Sequence, residues 1–349
     1  MNPRKKNSED RISRRDFIRI GTAGAALVGA ASACSKQEEQ PKGEVVVPKK
    51  QLGKTQMFAS ILALGGGSAL SMVKSDDDAV ALIDLARRKG VNYFDTGSSY
   101  GRGKSEKRFG MALAPHRKEI YLSTKYGPGD SPDELMKKFE ASLKRFQTDY
   151  IDNANMHGLT NPEDCELMFQ SGALETLVKL KEEGALKHIG ATAHKPAPLL
   201  EAMNRFQFDA VSAATNATRM HFVGEFDGKP EGSFEDEVIP LSNEQGIGCW
   251  AFKVTGQRRL IQRGSEPHKA PGIELIRYGF SLPVHGVILG MSTPEHVISA
   301  CELAANFTPM TPDEMRHWNE ELAPSATALT LDYLRPDYVD NGEPRAHLG

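Results

Sequence analysis

The chain has 349 residues, 39% hydrophobic and 26% charged, an ordinary soluble composition that excludes global disorder. Lys and Arg number 43 against 46 Asp and Glu, for a net charge of −3. No surplus of cations is present to neutralise a phosphate backbone, so no nucleic-acid partner is expected. Cys34, Cys165, Cys249 and Cys301 form no C-x-x-C pair, which counts against a zinc ribbon, an iron–sulfur cluster or a disulfide framework. At about 150 residues per domain the length allows two domains, but a (β/α)8 barrel uses about 250 as one unit.

The first 34 residues have the three-part layout of an export signal. Arg4, Lys5 and Lys6 make a basic start, and Ser13-Arg14-Arg15-Asp16-Phe17-Ile18 resembles a twin-arginine signal, which implies the twin-arginine translocase as a partner during export. The apolar run Ile20 to Ala33 has 14 residues, short of the roughly 20 that span a bilayer. Ala31-Ser32-Ala33 fits a signal-peptidase site, and with Cys34 it also fits a loose lipobox. The expected location is periplasmic or cell envelope, with membrane attachment only through the signal or a lipid on Cys34. Residues 35–50 are mostly polar, include Pro41 and Pro48, and read as a linker.

From residue 61 onward, β-rich runs alternate with amphipathic stretches. The candidate strands are Ile61–Leu64, Asn92–Thr96, Ile120–Lys125, Tyr150–Met156, His188–Thr192, Ala210–Ala214, Gly248–Lys253 and Gly286–Gly290. Helix starts lie between them. Ser75 precedes three aspartates, Ser131-Pro132-Asp133-Glu134 sets a cap, a first-turn proline and a capping-box glutamate in order, and Thr293-Pro294-Glu295 follows the last strand. Leu135, Phe139, Leu143 and Phe146 then repeat at helical spacing. Strand–helix alternation implies a parallel sheet, and eight repeats predict a closed α/β barrel of the (β/α)8 TIM type over residues 51–310. No G-x-G-x-x-G follows the first strand, so an open dinucleotide-binding sheet is disfavoured. Residues 217–235, with four Gly or Pro, read as a substrate lid. Thr311-Pro312-Asp313-Glu314 opens a further helix, and residues 311–349 read as that helix and a polar tail.

A barrel of this type carries its chemistry at the C-terminal ends of its strands. Asp95 ends the second strand with Tyr100 in the loop beyond it, Lys125 ends the third, and His157 follows the fourth. Each alone has a bland reading as a loop cap, a wall aromatic, a solvated strand end or a core histidine. Together they form a general acid beside a polarised carbonyl. Asp95 would hold Lys125 charged, the ammonium would lower the pKa of the Tyr100 phenol, and His157 would donate to a substrate oxygen as charge develops there. The set holds no strong nucleophile and no metal site. It lacks an electron source, so a hydride donor must come from a cofactor.

Longer motifs carry a family resemblance across residues 51–305. Gln51-Leu52-Gly53-Lys54-Thr55 resembles the opening hairpin of the aldo-keto reductases. Asn92 to Gly101 with Lys104-Ser105-Glu106 resembles their first signature, Leu122-Ser123-Thr124-Lys125 their lysine strand, and Ser142 to Asp152 their second signature. The resemblance implies a barrel with an N-terminal hairpin and C-terminal helical extension, and a catalytic tetrad of Asp95, Tyr100, Lys125 and His157. It implies a small-molecule carbonyl or alcohol substrate and a nicotinamide nucleotide, NADP(H) ahead of NAD(H).

The implied nucleotide contacts are Thr192, Ser212, Asn216, Lys253, Gly256, Gly290, Ser292 and His296. They depart from the family pattern in places. Ala193 stands where a carboxamide-binding asparagine is usual, Ser212 where a glutamine is usual, and His296 where an arginine holds the 2′-phosphate. Both Ala193 and Ser212 resemble the smaller residues of a subgroup with a G-x-T-x-H-K turn. Export would strand the protein away from free nucleotide, so the cofactor is expected to be loaded before export and tightly held. Two other readings stay open: a non-catalytic envelope binding lipoprotein on a decayed reductase barrel, and a glycan hydrolase, which would need a second carboxylate near Asp95.

Overall fold

The computed structural model describes residues 46–219, 225–226, 229–230, 233–335, 338 and 340. The expected export signal, Cys34 and the linker to residue 45 lie outside the described residues, as do residues 220–224, 227–228 and 231–232 of the segment expected to be a lid and residues 336–337, 339 and 341–349 of the tail.

The described chain opens with a hairpin of β1 (Lys49–Gln51) and β2 (Phe58–Ser60), paired antiparallel. Eight strands then close a parallel barrel. They are β3 (Leu62–Gly65), β4 (Tyr93–Asp95), β5 (Tyr121–Tyr126), β6 (Ile151–Leu159), β7 (Leu186–Ala193), β8 (Ala210–Ala214), β11 (Gly248–Phe252) and β12 (Gly286–Gly290), with β12 paired to β3. Each coincides with an expected strand to within three residues, because Gly, Pro and capping residues punctuate every repeat. Between β8 and β11 lies a ribbon of β9 (Glu225–Phe226) and β10 (Lys229–Pro230).

Helix starts follow the expected caps. Ser131 caps the helix Pro132–Phe146 with a full capping box, Thr311 does the same for Pro312–Leu322, and Ser75 caps Asp76–Arg88. The apolar stripe Leu135, Phe139, Leu143 and Phe146 is buried against the outer face of the sheet.

Packing between neighbouring helices is close enough to set the sign of a substitution. A Cβ on Gly110, in the helix Lys104–Leu113, would stand 2.0 Å from the carbonyl oxygen of Arg145 in the next helix. Helix propensity alone favours Gly110→Ala by about 1 kcal/mol. Forcing the two helices apart costs about 1–3 kcal/mol, so the variant is expected to melt below the parent. A higher melting temperature would show that the contact has slack.

The hairpin plugs the N-terminal end of the barrel. Leu52, Met57 and Ala59 pack on Tyr93 and Trp250, whose rings lie 4.6 Å apart. His285 packs against Trp250 at the same end and is 6% exposed. Burial, reinforced by the Lys50 charge, pushes its pKa down to about 4, whereas an unfolded histidine titrates near ~6.5. Between those values the unfolded chain binds more protons, so stability rises with pH across the window and is lost as pH falls through it. Thermal unfolding is therefore expected to shift down between about pH 6.5 and about pH 4, and less steeply in His285→Gln. Equal slopes in the two proteins would clear His285 of this role.

Candidate active site

Strand alternation decides which side chains enter the barrel. Ser123 and Lys125 alternate inward on β5, as do Asn153, Asn155 and His157 on β6, while Thr124 faces the helices. Register then sets heights: Asp95 is level with Ser123, and Lys125 with Asn155.

A buried polar column results. Asn155 Nδ2 donates to Ser123 Oγ at 3.0 Å, and Ser123 Oγ donates to Asp95 Oδ1 at 2.9 Å. Lys125 Nζ donates to Asp95 Oδ2 and, at 2.5 Å, to the Thr96 carbonyl. Asp95 and Lys125 are 6% and 5% exposed, so the ion pair is shielded from water and each charge depends on the other. Behind β5, Thr124 Oγ1 and Arg145 Nε both donate to the fully buried Glu106, each at 2.6 Å, which locks the strand carrying Lys125 to two helices.

Tyr100 is brought over this pair by a tight loop. Gly101, Arg102 and Gly103 all have left-handed backbone, with φ of 54°, 56° and 87°. Glycine adopts that region freely; Arg102 there is a strained position. The turn holds the Tyr100 ring 5.0 Å from Lys125 Nζ and sets the Tyr100 hydroxyl 3.5 Å from His157 Nε2. The four residues expected from sequence therefore meet at one rim. A substrate oxygen placed between Tyr100 and His157 would have two polar hydrogens in reach.

One electrostatic expectation is corrected. Tyr100 was expected to be acidified by Lys125, but its pKa is raised well above the usual phenol value. Burial is the main cause, and the Asp340 carboxylate is the next. Lys125 Nζ stands 5.0 Å from the Tyr100 ring centre and is bonded to Asp95 and Thr96.

Asp340 and its neighbour Tyr338 were not among the expected site residues. Asp340 Oδ2 lies 3.3 Å from Lys253 Nζ, 3.4 Å from His194 Nε2 and 3.8 Å from His157 Nε2. The Tyr338 hydroxyl accepts from Lys253 Nζ at 3.1 Å and from Gln257 Nε2 at 2.7 Å. Against the cost of burial, the Lys253 charge and the hydrogen bonds from His157 and His194 hold the Asp340 carboxyl well below the usual range. Burial, then the Lys253 charge, pushes His194 down to about 4. Aromatic residues in an otherwise polar tail were the available signal, at Tyr333 and Tyr338.

Beside the rim a cavity of about 130 Å³ is lined by Asp95, Tyr100, Lys253, Arg258, Gly65 and Gly290. Among the expected nucleotide contacts, Lys253 and Gly290 thus line it. Thr192 and Ser212 are level on β7 and β8 and buried, and the Thr192 hydroxyl accepts from the Gly158 N–H at 3.0 Å, which steadies the chain after His157. Asn216 Nδ2 donates to the Tyr333 hydroxyl at 2.7 Å, and its Oδ1 accepts from the Thr218 hydroxyl. Gly256 closes the turn after Lys253. Ser292 and His296 stand 3.4 Å apart at the exposed start of the helix Pro294–Ala305 and are not part of the cavity lining.

The description "Aldo/keto reductase family" matches residues 62–275, the greater part of the barrel. The chain belongs to the aldo/keto reductase family. An uncharacterized oxidoreductase of Bacillus subtilis (strain 168) is 28% identical over 226 residues, covering 62% of this chain and 67% of that protein. L-Galactose dehydrogenase of Arabidopsis thaliana is 34% identical over 154 residues, 41% of this chain; the match spans about half of that relative, 47%. Among solved structures, the holo form of an aldo-keto reductase from Bacillus halodurans superposes with a TM-score of 0.65 at 23% identity, covering 78% of this chain and 96% of that one. That likeness supports the fold of the reductase, a closed eight-stranded barrel with surrounding helices.

Proposed function

We propose that this chain is an NAD(P)H-dependent carbonyl reductase of the cell envelope, acting on small aldehydes or ketones, sugar-derived ones among them. The observation that carries the reading is the Tyr100 hydroxyl set 3.5 Å from His157 Nε2 above the buried Lys125–Asp95 pair. In the reductive direction His157 and Tyr100 orient the substrate oxygen, and Tyr100 gives it the phenolic proton as negative charge develops there. The Lys125 ammonium then faces the tyrosinate that remains, while Asp95 and the Thr96 carbonyl keep that ammonium in place.

The residues along the cavity suit a dinucleotide. Lys253 and Arg258 offer cations to a diphosphate, and Gly290 is exposed on the cavity wall. When bound, the reduced nicotinamide would supply the hydride. Thr192 and Ser212 are the polar groups nearest in register for its carboxamide, and Ser292 and His296 would meet the adenosine end, NADP(H) being favoured over NAD(H).

The leader supports the location. A twin-arginine signal exports folded protein, so nucleotide loaded inside the cell could travel with it, and Cys34 would take a lipid. The sugar assignment draws on the L-galactose dehydrogenase relative. A second reading, a binding lipoprotein on a decayed barrel, draws on Asp340 and Tyr338, which already engage Lys253.

One experiment separates them. Mature protein is purified from the envelope fraction, denatured, and any released nucleotide identified by mass and absorbance; the native protein is then titrated with NADPH and NADH. Released or saturably bound nucleotide, oxidised when aldehydes and aldoses are added, is the expected result. An empty protein that binds neither nucleotide would move the assignment to the binding lipoprotein.

A further inference from the structure

The contacts of Asp340 are unusual for a tail residue, because two of them, Lys253 and His157, are groups the reductase reading uses. Its carboxylate lies 3.8 Å from His157 Nε2 and lines the cavity together with Tyr100, the two groups that would hold the substrate oxygen. It also pairs with Lys253, which lines the same cavity. Tyr338 takes a second hydrogen of Lys253 and one of Gln257, both on the cavity wall, and its ring stands edge-on to His194 at 5.3 Å. Asp340 itself is part of the cavity lining.

The tail is rooted close by. Leu331 and Tyr333 are fully buried, and the Tyr333 hydroxyl accepts from Asn216 at 2.7 Å. Beyond that apolar root, the tip meets the mouth through charged and polar contacts. A carboxylate on Lys253 and a diphosphate on Lys253 are the same kind of partner, and one ammonium cannot be fully shared by two anions in one small cavity. The same holds at the rim, where the Asp340 carboxylate, 3.8 Å from His157 Nε2, stands where a carbonyl oxygen would meet the same imidazole.

We propose that the C-terminal tail is a tethered occupant of the mouth: Asp340 takes the place of the substrate oxygen and, with Tyr338, the donors due to the nucleotide's diphosphate, so that both ligands enter only as the tip withdraws. The inference rests on the reductase reading above. It makes the tip a built-in competitor whose removal favours binding. Were Asp340 instead a working part of the ligand site, its removal would weaken binding.

The test uses the full chain, Asp340→Asn, Tyr338→Phe/Asp340→Asn, and a chain ending at Arg335, which keeps the Tyr333 root. Each is titrated with NADPH and with NADH, followed by nicotinamide fluorescence, and each is melted without nucleotide to confirm folding. A tip seated about nine-tenths of the time lowers apparent affinity about tenfold, so the variants are expected to bind about tenfold more tightly than the parent, with lower KM for a small aldehyde. Dissociation constants that stay the same or rise in the folded variants overturn the competitor. Binding of neither nucleotide to any of the proteins overturns the reductase reading itself, and the competitor with it.

Discussion

Tyr100→Phe is expected to lower carbonyl reduction by about 10²–10⁴-fold, the usual contribution of a positioned general acid. The ring stays, so its packing over Lys125 and beside His157 stays, and only the hydroxyl that stands 3.5 Å from His157 Nε2 is lost. Nucleotide affinity should be unchanged, since the ring that lines the cavity is kept. The measurement is kcat and KM for a small aldehyde together with a nucleotide titration. A kcat within a few fold of the parent would remove Tyr100 as the proton donor.

Lys125→Met is expected to be severe in two separate ways. Activity should fall as far as in Tyr100→Phe, because the tyrosinate left by proton transfer would face no cation. Stability should fall by about 3–5 kcal/mol, because Asp95 would be left buried and charged without its partner. The Ser123 hydroxyl remains bonded to Asp95 but carries no charge. The two effects separate in the double variant Asp95→Asn/Lys125→Met, which removes both charges. Urea unfolding of that protein should recover most of the lost stability while turnover stays lost. Recovery of turnover in the double variant would show that the pair is structural only.

Much of the architecture was legible because it is written locally. Each strand is bounded by residues that stop it, and each following helix is opened by a side chain that caps its own backbone, as at Ser75, Ser131 and Thr311. Such signals act within a few residues and need no partner from elsewhere in the chain. The tetrad was legible for a related reason. In a parallel barrel the C-terminal ends of neighbouring strands share one rim, so the strand ends identify the residues that meet. Asp95 and Lys125 could be paired on that basis alone.

The Glu106–Arg145–Thr124 lock and the polar column from Asn155 to Asp95 were less visible. They depend on which face of β5 and β6 turns inward, and a shift of one residue in register reverses that choice. Thr192 shows the same dependence. Its residue type fits a nucleotide contact, but its oxygen accepts the Gly158 N–H, a bond that exists only because β6 and β7 are neighbours.

The sequence by itself determined the repeat of strand and helix, the places where each begins, and four chemical groups on one rim, because those rest on short-range backbone preferences and on the symmetry of a parallel barrel. The tertiary structure alone decided what surrounds those groups. Lys253 and Asp340 are 87 residues apart, and no local pattern marks a tail aspartate as the partner of a barrel lysine. Their meeting is set by where the Leu331–Tyr333 root is buried. Burial, and after it the Asp340 carboxylate, also reverses the expected sign at Tyr100, since both favour the neutral phenol.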